Sequence, residues 1–328
     1  MKKILNTTNE YVKDSVLGVI NAHGDKLSLL NDDFRIVIRK NKKKDKVAIV
    51  TGGGSGHLPL FLGYVGEGML DACAVGNVFA SPSSTKMYEA IKYIDCGKGV
   101  LCLYGNYGGD KMNFNMATEM ADFDDINIKH VIVSDDIASS DIVDSRRGVA
   151  GMIFMYKIAG AASELGYSLE EIVELCNKAS NNIRTMGIAL SACIVPEVGK
   201  STFTVDEDKI EIGMGIHGEK GIETINIKSS KEIVDIIIDK IETEIKLEKN
   251  EKISVMINGL GSTPLEELYI VYNDLFNRLN KKDIKIIKPH IGEFATSMEM
   301  AGLSITVFKL DEELEKLLLE KAETPFYK

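Results

Sequence analysis

Along the chain, short apolar runs rich in Val and Ile alternate with longer stretches in which apolar residues return every three or four positions. The first pattern suits buried strands and the second amphipathic helices, so the alternation predicts βαβ units around parallel or mixed sheets. In the first half, FRIVIRK (34–40), KVAIVT (46–51), LDACAVG (70–76), GVLCLYGN (99–106) and IKHVIVSDD (128–136) read as strands. Ser81 as N-cap and Pro82 at the first helical position announce a helix over SSTKMYEAIKYID. Two long helical stretches follow, RRGVAGMIFMYKIAGAASELG (146–166) and SLEEIVELCNKASNNI (168–183). Ser168 and Glu171 are spaced as a capping box, so Gly166 marks a turn between two helices.

In the second half, GIALSACIVP (187–196) and KIEIGMG (209–215) read as strands, and Val234, Ile237, Ile238, Ile241 and Ile245 share one face of a helix over 231–245. KISVMINGL (252–260) leads into Thr263, Pro264 and Glu266, which predict a cap, a first helical position and a box partner. IKIIKPHIG (284–292) and LSITVFKLD (303–311) complete the strands, and EELEKLLLEKA forms a last helix. A chain of 328 residues is long for one core. The expected fold is therefore α/β with two domains, residues 1–183 and 184–328, each with a mixed or largely parallel sheet flanked by helices.

Composition narrows the function. A net charge of −10 argues against non-specific binding of nucleic acid or anionic membrane, which needs a basic field. The one basic cluster, Lys42, Lys43, Lys44 and Lys46, reads as a solvated loop before a strand. Five cysteines, odd in number and without a CxxC pair, suit reduced thiols rather than disulfides or a zinc site. With neither a signal peptide nor an apolar run of spanning length, a cytoplasmic location is expected.

Candidate chemistry lies in VAIVTGGGSGHLPLF (47–61), where a strand runs into glycines that end on His57. Strand, glycine-rich turn and helix let backbone N–H groups face an anion or polar ligand. A Walker A loop fails for want of a lysine, and a dinucleotide fingerprint begun at Gly52 meets His57 where its third glycine should stand. Asp71 sits at ribose-contact spacing, so a nucleotide site is a second choice. Pure turn chemistry would need fewer glycines, and close backbone approach to a ligand accounts for the excess. YGNYGGDKMNF (104–114) places Asp110 at another strand's C-terminal end, where ligands of open α/β sheets bind; capping the next helix is its plainer role. GMGIHGEKG (213–221) frames His217 with glycines, and SDDIASSDIVDSRRGVAG (134–151) reads as a lid, a subunit contact or a solvated loop. His23, His130 and His290 lack such settings and read as structural.

Together, GGGSGH, GNVFASPS, GNYGGDKMNF, RRGVAG, GMGIHGE, NGLGSTPLEELYIVY and TSMEMAGLSITVFKLD resemble, in order, the dihydroxyacetone kinase family, in its DhaK-type (Dak1) substrate-binding subunit. The resemblance runs essentially from end to end, to the terminal AETPFYK. It implies that His217 captures a short hydroxyketone as a covalent hemiaminal, so that glycerol, lacking a carbonyl, is refused by reaction rather than by shape. It implies further that Gly54, Ser55, Gly56 and His57 hold the ketone's hydroxyls, and that His57 and Asp110 orient the reacting hydroxyl and take its proton. Spacing suggests that Glu219 orients His217. The expected partner is a separate nucleotide-binding kinase subunit carrying ADP and Mg, recharged by a phosphoprotein of the phosphoenolpyruvate-dependent phosphotransferase system. This chain would bind no cofactor and no metal of its own, and would form a homodimer of two-domain α/β subunits.

Two departures bear on the substrate. The family's usual GHEPAH is here GHLPLF, with Leu58, Leu60 and Phe61, and a substrate-contacting lysine before the Asn-Tyr pair is here Gly105. The wall is expected to be less polar and, at Gly105, roomier. That leaves open a kinase subunit for a longer ketose such as erythrulose, or a ketone sensor that co-activates a transcription factor. Retention of His57, Asp110 and His217 favours the kinase subunit, since a sensor needs no base.

Overall fold

The computed structural model describes residues 2–201, 203–219 and 221–328. Helix α1 (Tyr11–Ala22) precedes a hairpin of β1 (Leu27–Leu30) and β2 (Asp33–Arg39). Next come β3 (Ala48–Ser55), β4 (Ala72–Val78), α2 (Ser84–Ile94), β5 (Val100–Gly105), α3 (Gly108–Asp122) and β6 (Ile128–Val133). Their six strands form one sheet in the order β1-β2-β4-β3-β5-β6. β4, β3, β5 and β6 are mutually parallel, while β2 pairs antiparallel with both β1 and β4.

Helices α4 (Met152–Glu164) and α5 (Leu169–Asn181) lead to β7 (Ile183–Ala189), β8 (Lys209–Ile212), β9 (Glu223–Asn226), α6 (Ser230–Glu242), β10 (Lys252–Gly259) and α7 (Leu265–Asn280). β11 (Lys285–Ile286), β12 (His290–Glu293) and β13 (Gly302–Leu310) complete a second sheet in the order β11-β10-β13-β7-β8-β9, with β12 beside β10. This sheet is mixed: β11 and β12 run parallel to β10, and the other pairings are antiparallel. The expected α/β class with two mixed sheets flanked by helices is what forms. The last helix, α8 (Glu312–Leu319), turns back to pack on α4. Every residue of α4 from Met152 to Ser163 is buried, because the helix shares one core with strands of both sheets and with α8. Its apolar character all round is that of an enclosed helix.

Local chemistry explains several shifts from the expected elements. Ser83, not Ser81, caps α2, accepting from Lys86 N; Ser81 turns instead toward the site described below. Helix α4 starts at Met152 rather than near 146 because the buried Asp135 carboxylate accepts from Val149 N and Gly151 N and holds residues 148–151 out of the helix. The Ser168–Glu171 box forms as expected. Thr263 does not cap α7, since its hydroxyl donates to Gly302 O and accepts from Gly302 N. The 284–292 run splits into β11 and β12, and β1 and β9 are strands that the apolar pattern did not announce. Lys46 is not solvated: it is buried beside Asp71, Nζ to Oδ2 2.6 Å. That pair, with Ile49 N also donating to Asp71, gives the acid a structural task in place of a ribose contact.

Candidate functional site

β3, β4 and β5 are parallel neighbours whose C-terminal ends lie side by side, the usual ligand edge of such a sheet. β3 continues through its glycines to Ser55, so Gly52, Gly53 and Gly54 are extended strand, and positive φ (+101°) begins only at Gly56. Their missing side chains make room for the protein's own groups. A Cβ on Gly53 would overlap the Phe61 ring, and one on Gly54 would lie 2.7 Å from Ala80 N. The glycines therefore admit close approach by neighbouring chain, which corrects the expectation that a ligand alone explains their number. Ser55 Oγ donates to Gly76 O at 2.9 Å, tying the loop to β4.

His57, immediately beyond, is fully buried. Its Nδ1 lies 2.7 Å from Thr296 O, and since a carbonyl only accepts, Nδ1 carries the proton. Nε2 is then a bare acceptor, and it is buried with no partner. Burial, and then the adjacent His217 ring, push the pKa of His57 down to about 3, so the ring stays neutral. Phe79, from the turn after β4, stacks on it at 4.9 Å with planes 22° apart. Phe79 itself adopts φ +54°, which a bulky residue accepts only where packing enforces it.

Asp110 sits in the first turn of α3 and is 6% exposed. No side-chain cap bond is made at that helix start, so the plain capping role does not hold. Its Oδ1 is buried without a partner, and burial raises its pKa to about 6, with Ser81 and His217 pulling back toward the charged form. At Gly105 the expected extra room is absent: a Cβ there would lie 3.1 Å from both Met152 Sδ and the Tyr107 ring.

His217 comes from the other sheet, on the loop between β8 and β9. Its ring meets His57 at 4.6 Å, Tyr107 at 4.7 Å and Phe79 at 5.4 Å, edge to face in each case. Nδ1 lies 3.2 Å from Glu219 Oε1, and the backbone N donates to Glu219 Oε2 at 3.0 Å. Burial would raise the Glu219 pKa, but the hydrogen bond from His217 and the charges of His217 and Arg147 hold it at about 2. An ionised carboxylate can only accept, so Nδ1 carries a proton toward Glu219, and whenever the ring is neutral the lone pair is on Nε2.

The structure thus gathers His57 and His217 ring to ring, brings the glycine loop and Asp110 to adjacent strand ends, and places Gly105 behind the Tyr107 ring. Phe79, Tyr107, Thr296 and Arg147 also shape the site. Phe79 lies within GNVFASPS and Thr296, on the β12–β13 connection, opens TSMEMAGLSITVFKLD, but neither motif assigned that residue a role. Among the described residues, no group of three or more His, Cys, Asp or Glu side chains is placed to hold a metal, and no helix is long and apolar enough to cross a membrane. Away from the site, His130 bonds to Tyr104 and Thr118, and His290 bonds to Tyr327 near the C-terminus.

The chain is similar over nearly its whole length to several proteins. It is 45% identical over 315 residues, 95% of either chain, to the dihydroxyacetone-binding subunit DhaK of PTS-dependent dihydroxyacetone kinase 1 from Listeria innocua. Its fold superposes on the dihydroxyacetone kinase of C. freundii with TM-score 0.92 and 35% identity, covering 99% of this chain and 60% of that longer one. It also matches the dihydroxyacetone kinase operon co-activator DhaQ with TM-score 0.90 and 31% identity, over 98% of both chains. The Dak1 domain model matches residues 17–326, and with it the chain belongs to the Dak1 family.

Proposed function

We propose that this chain is the dihydroxyacetone-binding subunit of a dihydroxyacetone kinase, working with a separate phosphoryl-donating subunit of a phosphoenolpyruvate-dependent system. The observation that carries the reading is the meeting of a bare buried His57 acceptor with a carboxylate-paired His217, beside an Asp110 of raised pKa. His217 Nε2 attacks the carbonyl carbon; the C=O π pair moves to oxygen, which takes up one proton from solvent, and the ring returns its Nδ1 proton to solvent by way of the Glu219 hydrogen bond. The hemiaminal is then neutral, and proton count is conserved. His57 Nε2 accepts from a hydroxyl of the captured ketone and orients it, since a ring with a pKa of about 3 is a poor proton sink. Asp110, at about 6, takes the proton as the hydroxyl oxygen bonds to phosphorus. ADP and Mg, expected on the partner, supply the phosphoryl group and neutralise its charge. A homodimer belongs to the same reading.

The likeness to the operon co-activator favours a second reading, a ketone sensor. Asp110 separates the two, because a sensor has no use for a buried carboxylate tuned toward proton transfer. The test is a coupled assay with the nucleotide-binding subunit, the phosphoryl donor, and dihydroxyacetone, erythrulose or glycerol. Phosphorylation of dihydroxyacetone but not glycerol is expected; ketone binding without product from either ketose would replace the kinase by the sensor.

A further inference from the structure

The arginine pair in the 134–151 connection is not part of a loose lid. Arg146 is buried in a two-pronged pair with Glu244, Nη1 to Oε2 2.8 Å and Nη2 to Oε1 2.7 Å, and donates from Nε to Ser140 O. Arg147 grips Asp136 Oδ2 through Nε at 2.9 Å and Nη2 at 2.8 Å, and Nη2 donates to Gly213 O at 3.0 Å. Its Nη1 faces Glu219 Oε2 at 3.7 Å. Arg147 therefore touches the 213–219 turn at both ends, and Gly215 N to Glu219 O closes the turn from within. A Cβ on Gly215 would strike both the Glu219 carboxylate and the Arg147 guanidinium, so that glycine exists to let the two groups meet.

We propose that Arg147 is a positioning residue for ketone capture: it holds Glu219 against His217 so that the ring keeps its proton on Nδ1 and its lone pair on Nε2. This rests on His217 being the capturing nucleophile. Glu219 and His217 share one acceptor site for a proton. If the pair gains a proton, either the carboxylic acid donates to Nδ1 or the ring becomes imidazolium, and in both cases Nε2 is capped by hydrogen and cannot attack. A cation beside Glu219 lowers the pH at which that proton is taken up. The other titratable groups around the pair are His57 from the loop after β3, Tyr107 and Asp110 from the β5–α3 turn, and Asp136, whose pKa burial raises to about 6 against the pull of Arg147. Asp136 loses its own ion-pair partner in an Arg147 variant, so an Asp136→Asn profile is recorded beside it, and a limb that moves in Arg147→Met but not in Asp136→Asn reports the missing guanidinium beside Glu219.

The test follows capture of carbonyl-13C dihydroxyacetone by NMR from pH 5 to 9 in wild type, Arg147→Met and Arg147→Lys, with the 15N tautomer of His217 recorded in each. Wild type is expected to hold the Nδ1–H tautomer. In Arg147→Met the acid limb of capture should move up by about one pH unit or more, and Arg147→Lys should restore most of it. Superposable profiles in wild type and Arg147→Met, or an Nε2–H tautomer in wild type, overturn the proposal. Absence of a captured species in wild type at every pH would instead sink the nucleophile reading beneath it. Circular dichroism identifies an unfolded Arg147→Met, in which case the wild-type tautomer and the Arg147→Lys profile decide.

Discussion

The ring of His57 meets the ring of His217 edge to face, centroids 4.6 Å apart and planes at 85°, although the two residues hang from different sheets. Their surroundings divide the work. His57 gives its Nδ1 proton to a backbone carbonyl and is sealed from water, which makes it a fixed neutral acceptor. His217 faces a carboxylate through Nδ1 and is partly exposed, which leaves Nε2 as the ring nitrogen not engaged by Glu219.

Asp110→Asn should separate capture from turnover. The amide keeps the shape but cannot take a proton, so phosphorylation should fall by about 10²–10⁴-fold, while the ketone still reacts with His217. In the wild type, turnover needs the ionised carboxylate and should decline as pH drops through about 6. Parallel measurement of kcat and of ketone binding across pH checks both points; equal loss of binding and kcat would assign Asp110 to holding the substrate.

Phe79→Leu removes the ring stacked on His57 while keeping an apolar side chain. Water then reaches the imidazole, and its pKa should climb from about 3 toward the ordinary histidine range, because burial is the main cause of the depression. NMR titration of His57 reads this directly, and ketone affinity should weaken as the acceptor becomes hydrated.

Glycines give opposite predictions at two positions. At Gly54 an added Cβ would sit 2.7 Å from Ala80 N and 3.0 Å from Phe79 Cα, so Gly54→Ala should destabilise by about 1–3 kcal/mol. At Gly18, inside α1, nothing lies within 4 Å of that Cβ, and Gly18→Ala should stabilise by up to about 1 kcal/mol. Urea unfolding midpoints at unchanged slope compare the two.

Much of the fold was legible because its strands and helices carry strong apolar periods: β3, β5, α5, α6 and β13 lie close to where the pattern puts them. Boundaries moved where a side chain had a tertiary partner, as at Asp135 ahead of α4 and Thr263 ahead of α7. The motifs pointed to His57, Asp110 and His217, but not to what tunes them. Thr296 O fixes the His57 tautomer from a loop near the far end of the chain, and Arg147 reaches Glu219 across a fold-dependent gap. Neither relation leaves a trace in local spacing. Gly105 shows the converse: losing a side chain suggested space, yet Met152 and Tyr107 crowd the position.

The most direct test uses carbonyl-13C dihydroxyacetone with protein carrying 15N-labelled histidine. The predicted result is a tetrahedral carbon signal showing one-bond coupling to 15N, present in wild type and absent in His217→Ala. A protein that binds and phosphorylates the ketone while its carbon shows only uncoupled ketone and hydrate signals would contradict covalent capture by His217.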